Sequence, residues 1–471
     1  MTAAFARSEA AGDVDAGLVP FRSAMPGVVW PAFPESLGMM ILALQYQFER
    51  SEWLPAERLR AHQYRQLALL LDHAARESPF YRSRLRAAGV RPGQTLDAAA
   101  WARLPLLGRR DLQLHTKALR TTPPPTHGAV VHGRSSGSSG MPVDVVTTGL
   151  AAMLNEAVSL RDHLWHGRDF KGSFAAIRRP RAGEASGAQA AGWTRGVSAA
   201  LATGGSALLD CVRPVSEQID WLMQQTPDYL ITYPSNLRAL LREARRRELR
   251  PARLKAVLTQ GEQVPPDLTE LLRATWEVPL QDAYSASETG TIALQCPLSG
   301  LYHVQSEIAL VEVLDDSGRA CLPGEIGRIV VTPLHNFAQP LIRYGIGDFA
   351  EVGAPCACGR GLPTLTRIVG RVTGMLVLPS GGAVRPRFQS AVAHAALPIV
   401  QFQIIQRSRA LLEARLVVER RLSSDEEESL RAGLRDACGA DFTIDFSYHA
   451  EIARGPGGKF EDFVSEVAVA T

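Results

Sequence analysis

Lysine is nearly missing from this chain. Only four stand in its 471 residues, Lys117, Lys171, Lys255 and Lys459, and every other base is arginine. Such a sequence keeps lysine either by accident or where a compact, flexible ammonium is needed, so each of the four merits inspection. Long apolar runs are missing too. The best, "SLGMMILALQYQF" (36–48), is too short to span a bilayer, so no membrane is expected. The opening "MTAAFARSEAAGDVDAG" carries acids and no apolar core. That speaks against a signal peptide and makes a frayed tail and a cytoplasmic location the expectation. No charge dominates, since 51 basic residues face 48 acidic ones for a net +3. There is no basic stripe with interleaved aromatics, so nucleic acid is not expected as a partner. The densest basic run, "REARRRELR" (242–250), reads as the solvated face of a helix. Internal repeats and low-complexity segments are absent as well.

What is present reads as an ordinary globular chain, 46% apolar and 21% charged, long enough for two or three domains. Residues 51–89 place apolar side chains three and four apart and predict helices. From about 128 to 350, short apolar strands alternate with helical stretches: "FAAIR", then "YLITY" with "SNLRALLREARRR", then "LKAVLTQG" with "PDLTELLRATW". That alternation predicts βαβ units and a largely parallel sheet. "IALVEVLDDSGRACLPGEIGRIVVTP" (308–333) instead predicts two strands joined by a polar turn, an antiparallel pair. Beyond Gly370 the strands "MLVLPSGG", "QFQIIQRS" and "EARLVVER" and the helix "SDEEESLRAGLRDACG", with Ser424 as its cap, suggest a small α+β domain. The expected division is a tail and lead-in helix (1–44), a large α/β domain with mostly parallel sheets and a β-rich subdomain (45–370), and a small mobile domain (371–471).

One stretch calls for chemistry. "RSSGSSGMPV" (134–143) sits between two strand-like segments. Successive backbone N–H groups in such a turn form an anion nest, and serine hydroxyls add donors. A Walker loop would end in Gly-Lys-Ser/Thr, and Met141-Pro142 stands there instead, so this is not an ordinary P-loop. Alone, the stretch reads equally as a flexible linker. It is followed by "AYSASETG" (283–290), "PLIRYGIGDFAEV" (340–352), "RIVGRVTGML" (367–376) and "GPGGKF" (455–460). In order and spacing these motifs resemble those of the adenylate-forming superfamily of acyl-CoA ligases and peptide-synthetase adenylation domains. The phenylacetate–CoA ligase branch resembles the chain most, from about residue 45 to the end.

The resemblance implies ATP, Mg²⁺ and CoA as co-substrates and a small carboxylic acid, aromatic or otherwise apolar, as the acid. Ser135, Ser136, Gly137, Ser138, Ser139 and Gly140 match the grip on the β,γ-phosphates. Glu288 matches the Mg²⁺-linked glutamate, with Ser287 beside it among the nucleotide contacts. Gly261, Glu262, Asp282, Ala283 and Tyr284 match the adenine-site segments, Tyr284 as a stacking ring. Asp348 matches the carboxylate that accepts the ribose hydroxyls, and Arg371 the arginine beside the hinge. Lys459 matches the adenylation lysine, a mobile cation for the charge growing on carboxylate and α-phosphate. The bland alternatives are a turn cap for Glu288, an Arg343 partner for Asp348 and a solvated tail for Lys459. Two departures stand out. Met141 replaces the usual loop lysine, and Thr373-Gly374 replaces the usual hinge aspartate pair, although Gly374 can itself supply flexibility.

The cysteines make a second constellation. Cys296 and His303 form a C-x6-H pair, and Cys356 and Cys358 a C-x-C pair, which together can complete a closed, structural Cys3His zinc site. The alternative is four reduced side chains in loops. Cys211, Cys321 and Cys438 are scattered and read as structural. Segments 173–179, 232–236 and 284–291 are expected to line the acid pocket, with no specificity residue evident. Three functions compete: an acid–CoA ligase, an enzyme that loads a carrier-protein thiol or an amine, and a non-catalytic nucleotide-binding relative. The oligomeric state, homodimer included, stays open.

Overall fold

The computed structural model describes residues 21–91, 93, 96–134, 143–181, 183–371, 376–384, 386, 388, 391–392, 395, 397–452, 460 and 462–467. The anticipated anion loop 135–140, Met141, Thr373, Gly374 and Lys459 lie outside these residues. Among the described residues no helix is long and apolar enough to cross a membrane.

Helices come first: α1 (Ser36–Ser51), α2 (Ala56–Glu77), α3 (Pro79–Ala87), α4 (Ala98–Arg103) and α5 (Arg109–Leu114). Helix α2 buries Leu59, Leu67, Leu70, Leu71 and Ala74, the spacing of one face. It ends at Ser78, whose hydroxyl caps α3 by accepting from the Tyr81 N–H, with Pro79 opening the new helix. Helix α1 runs through the 44/45 position and packs on the later helices α6 (Gly149–Trp165) and α7 (Arg195–Ala200). Strands β1 (Val130–Arg134) and β2 (Asp144–Thr148) pair antiparallel and flank the serine-glycine stretch.

Next come β3 (Phe174–Ile177), β4 (Gln189–Ala190), β5 (Ser206–Leu209), α8 (Val215–Gln225), β6 (Tyr229–Thr232), α9 (Pro234–Arg246), β7 (Ala256–Gln260), α10 (Leu268–Trp276) and β8 (Leu280–Ala286). They lead into β9 (Gly290–Gln295), β10 (Tyr302–Val304), β11 (Ala309–Leu314), β12 (Ile326–Pro333), β13 (Tyr344–Val352) and β14 (Thr364–Arg371). These strands form one twelve-stranded sheet in the order β11-β12-β13-β14-β10-β9-β8-β7-β6-β3-β5-β4. The run β5-β3-β6-β7-β8 is parallel, as helical crossovers require. From β8 outward to β11 every pairing is antiparallel, so the β-rich part continues the parallel part. Helix α9 shows why the pattern folds this way. Leu237, Leu240, Leu241 and Ala244 are fully buried while its arginines point outward. Each buried leucine contributes ~1.5–3 kcal/mol.

The small domain holds β15 (Leu376–Val377), β16 (Ala383–Val384), β17 (Ile399–Gln406), β18 (Leu411–Val418), α11 (Ser424–Cys438), β19 (Thr443–Tyr448) and β20 (Phe463–Ser465). Its sheet runs β19-β18-β17-β20, and it has a core of its own around Leu412, Leu416, Leu430, Leu434 and Phe442. One expectation is corrected here. The cap of α11 is Ser423, not Ser424: Ser423 accepts from the Glu426 N–H, and Glu426 returns the bond to the Ser423 N–H. Ser424 also has a glutamate three residues on, Glu427, but the reciprocal bonds run between Ser423 and Glu426, which makes Ser424 the first helical residue.

Candidate active site

A cavity of about 1240 Å³ opens at the carboxyl ends of β6, β7 and β8. Parallel strands leave such a crevice where their following loops part. Tyr233, Gly261, Glu262, Tyr284, Ser287, Glu288 and Asp348 from the large domain line it, joined by Phe460, Asp462 and Phe463 from the small one.

At one end the anticipated nucleotide residues converge. Glu288 sits in the tight turn between β8 and β9, buried, with Arg109 Nη1 3.1 Å from its Oε1. The turn is clamped to α6: Asn155 Oδ1 accepts the Thr291 N–H at 2.8 Å. Gly290 makes this possible. Its φ is +77°, and a Cβ there would lie 2.3 Å from Asn155 Oδ1. Tyr284 donates its hydroxyl to Asp348 Oδ2 at 2.7 Å, so ring and carboxylate form one buried unit. Asp348 stands directly across the β13–β14 ladder from Arg371, and Arg343 pairs with Glu312 rather than with Asp348. Gly261, at φ +79°, turns the chain out of β7 and presents Glu262. Asp282 is held more deeply, accepting from Thr259 Oγ1 at 2.6 Å and Tyr302 Oη at 2.8 Å. Burial pushes its carboxyl up to about 6 against those two donors.

Arg109 was invisible in the sequence. It opens a helix of six residues, α5, too short for periodicity to single out a face. The face of α6 that lines the cavity, Asn155, Glu156, Ser159, Asp162 and His163, was also missed. Its signal was available: polar residues three and four apart on an otherwise apolar helix. Around His163 the walls are Phe174, Trp193, Ile231 and Leu258, Tyr233 stands near Glu262, and segments 173–179, 232–236 and 284–291 all contribute to this one cavity.

Where the end of β9, strand β10 and the loop after β13 meet, Cys296, His303, Cys356 and Cys358 bring their ligand atoms within 4.8 Å of one another. Cys296 and Cys356 Sγ lie 3.7 Å apart, and Cys358 Sγ lies 3.3 Å from His303 Nε2. A disulfide would need ~2.05 Å. A tetrahedron with metal–sulfur bonds of ~2.3 Å has edges near ~3.8 Å, which these spacings fit. His303 Nδ1 faces the Leu362 carbonyl at 3.4 Å, which leaves Nε2 for the cluster. Burial pushes the His303 imidazolium down to about 4, so the ring is neutral, as a ligand must be.

Residues 376–466 match the family model described as the CapK C-terminal domain. The chain is 30% identical over 393 residues to a phenylacetate–coenzyme A ligase of Thermus thermophilus, covering 80% of this chain and 84% of that one. This chain belongs to the phenylacetate–CoA ligase family. A second member, from Aromatoleum evansii, is 25% identical over 68% of this chain and 72% of its own length. The fold agrees with that of a 2-hydroxyisobutyryl-CoA ligase in the postadenylation state with 2-HIB-AMP. The TM-score is 0.71 at 18% identity, over 89% of this chain and 92% of that one.

Proposed function

We propose that this enzyme activates a small aromatic or otherwise apolar carboxylic acid with ATP and passes the acyl group to CoA. The observation that carries the reading is the two-ended cavity, with carboxylates and a tyrosine hydroxyl at one end and aromatic rings at the other. In the first step the acid's carboxylate oxygen attacks the α-phosphorus of ATP. A P–O bond forms, the bond to the β-phosphate oxygen breaks, and pyrophosphate leaves. In the second, the CoA thiolate attacks the acyl carbon and AMP leaves.

Each residue has a role in that scheme. Ser135–Gly140 hold the β,γ-phosphates. Glu288 serves the Mg²⁺–triphosphate, and Arg109, its neighbour, adds a cation that Met141 cannot. Asp348 accepts the ribose hydroxyls, braced by Tyr284, with Arg371 across the ladder. Gly261, Glu262, Asp282 and Ala283 frame the adenine, and Lys459 neutralises charge growing during attack. The Cys3His cluster takes a structural Zn²⁺ that ties the loop after β9 to the loop after β13. The CoA acceptor rests on what the relatives are named for, and a carrier thiol or an amine is the competing acceptor.

The test is ATP–pyrophosphate exchange over a panel of acids, then thioester formation with CoA. Exchange stimulated by an aromatic acid and abolished in Lys459→Ala is expected. Lys459→Ala should still convert chemically supplied acyl-AMP and CoA to thioester, because the lysine serves only the first orientation of the small domain. Failure of every acid to stimulate exchange sinks the proposal. Acyl-AMP made but never passed to CoA favours the carrier or amine acceptor.

A further inference from the structure

The aromatic end of the cavity contains a buried imidazole whose two nitrogens are used differently. His163 is 5% exposed, near the end of α6, and lines the cavity. Its Nδ1 lies 2.7 Å from Arg168 Nη1. A guanidinium only donates, so Nδ1 is the acceptor and Nε2 carries the proton. Arg168 is itself fixed, by Asp162 Oδ2 at 2.6 Å and by Gln281, so the ring cannot readily turn over. Burial, with Arg168 beside it, pushes the imidazolium down to about 3, and His163 is neutral at any physiological pH.

The polar atoms around it are spoken for. Trp193 donates its indole N–H to the Gly172 carbonyl at 2.8 Å, and the Tyr229 hydroxyl accepts the Asp169 N–H at 2.8 Å. His163 meets the Trp193 and Phe174 rings edge to face, with centroids 4.9 and 5.9 Å away. Those faces are weak acceptors beside an oxygen or nitrogen lone pair. Among the described residues, Nε2–H has no oxygen or nitrogen acceptor. A donor held this way is costly to leave unmet once substrate expels water.

Resting on the acid-activating reading above, we infer that His163 is a specificity residue. Its Nε2–H selects acids whose aromatic or otherwise flat tail carries a neutral hydrogen-bond acceptor, such as a hydroxyl, an ether, a carbonyl or a ring nitrogen. The acceptor lies far from the reacting carboxylate. Asn155, which clamps the Glu288 turn, is eight residues before His163 on the same helix, a rise of ~12 Å. A neutral acceptor fits best beside Glu156, which lines the cavity with its Oε2 held by Thr194 Oγ1 and the Gly196 N–H and forms no ion pair among the described residues. A second carboxylate on the substrate would meet that charge.

The experiment compares matched pairs of aryl acids, with and without a hydroxyl, methoxy or ring nitrogen at each ring position. The readout is kcat/KM for pyrophosphate exchange in wild type, His163→Phe and His163→Gln, with melting temperatures as a check on folding. Wild type should prefer the best acceptor-bearing acid by ~10-fold or more over its plain partner, as sites built to hydrogen-bond a substrate do. His163→Phe should bring that ratio near unity, and His163→Gln, which keeps a donor, should recover part of it. If wild type shows no preference at any ring position, the inference is wrong. It is equally wrong if the ratio survives in folded His163→Phe. Either result, obtained with working exchange, leaves the ligase reading standing. Absence of exchange with every acid removes both.

Discussion

The Phe460 N–H donates to Glu262 Oε1 at 3.0 Å, and the same carboxylate accepts the N–H and hydroxyl of Ser235 at 2.9 and 3.1 Å. One side chain therefore bridges the end of β7, the first turn of α9 and the small domain, one residue past Lys459. Hydrogen bonds to a charged group are worth ~1.5–3 kcal/mol, enough to bias an orientation ~10-fold or more. Glu262→Ala should lower acyl-AMP formation by about that factor. Transfer from supplied acyl-AMP to CoA should fall less. Equal losses in both half-reactions would show that Glu262 only supports the nucleotide pocket.

The Glu288–Arg109 pair predicts a coupled effect. Glu288→Gln keeps the side chain's shape, so the melting temperature should drop little, by ~1 kcal/mol equivalent. Pyrophosphate exchange at limiting Mg²⁺ should fall ~100-fold, and Arg109→Met should raise KM for ATP ~10-fold. Unchanged exchange in Glu288→Gln at limiting Mg²⁺ would remove the residue from the triphosphate.

The cysteine cluster predicts metal. Protein purified without added metal should carry about one zinc per chain by elemental analysis. Cys358→Ser should lose it and melt at lower temperature. A chain that is metal-free, fully stable and fully active would contradict the assignment.

Asp282 predicts a pH dependence. Its folded carboxyl titrates near 6 against 3.8 for the free side chain, so between those values the folded state binds more protons than the unfolded. Stability from this group is therefore greatest below about 4 and declines as pH rises through about 6. Denaturant titrations from pH 4 to 7 should show wild type losing ground relative to Asp282→Asn. A constant difference across that range would mean that Asp282 titrates normally.

Much of this was legible without coordinates. The βαβ alternation announced β3, β6 and β7, and the polar turn at 315–319 announced the β11–β12 pair, because periodicity and turn chemistry are local. Glu288, Asp348 and Tyr284 could be named from motif order. Their mutual geometry could not, since the Tyr284–Asp348 bond joins residues 64 apart in the chain. Arg109 was illegible for the same reason, and His163 showed only as one of the polar residues along α6. What makes them matter is the partner each meets, Glu288 across 179 residues for one and the cavity itself for the other.

The unbroken sheet has a consequence for how such an enzyme can change. β8 is hydrogen-bonded in parallel to β7 and antiparallel to β9, so the strands behind the aromatic wall and those behind Asp348 belong to one stiff plate. Side chains on the α6 face beyond Asn155, which must stay to clamp the turn, and on the β3 side can be exchanged without shifting Glu288 and Asp348. Acid choice and adenylation chemistry are therefore separable in this architecture, and a lineage can explore new acids while the reacting geometry stays as it was.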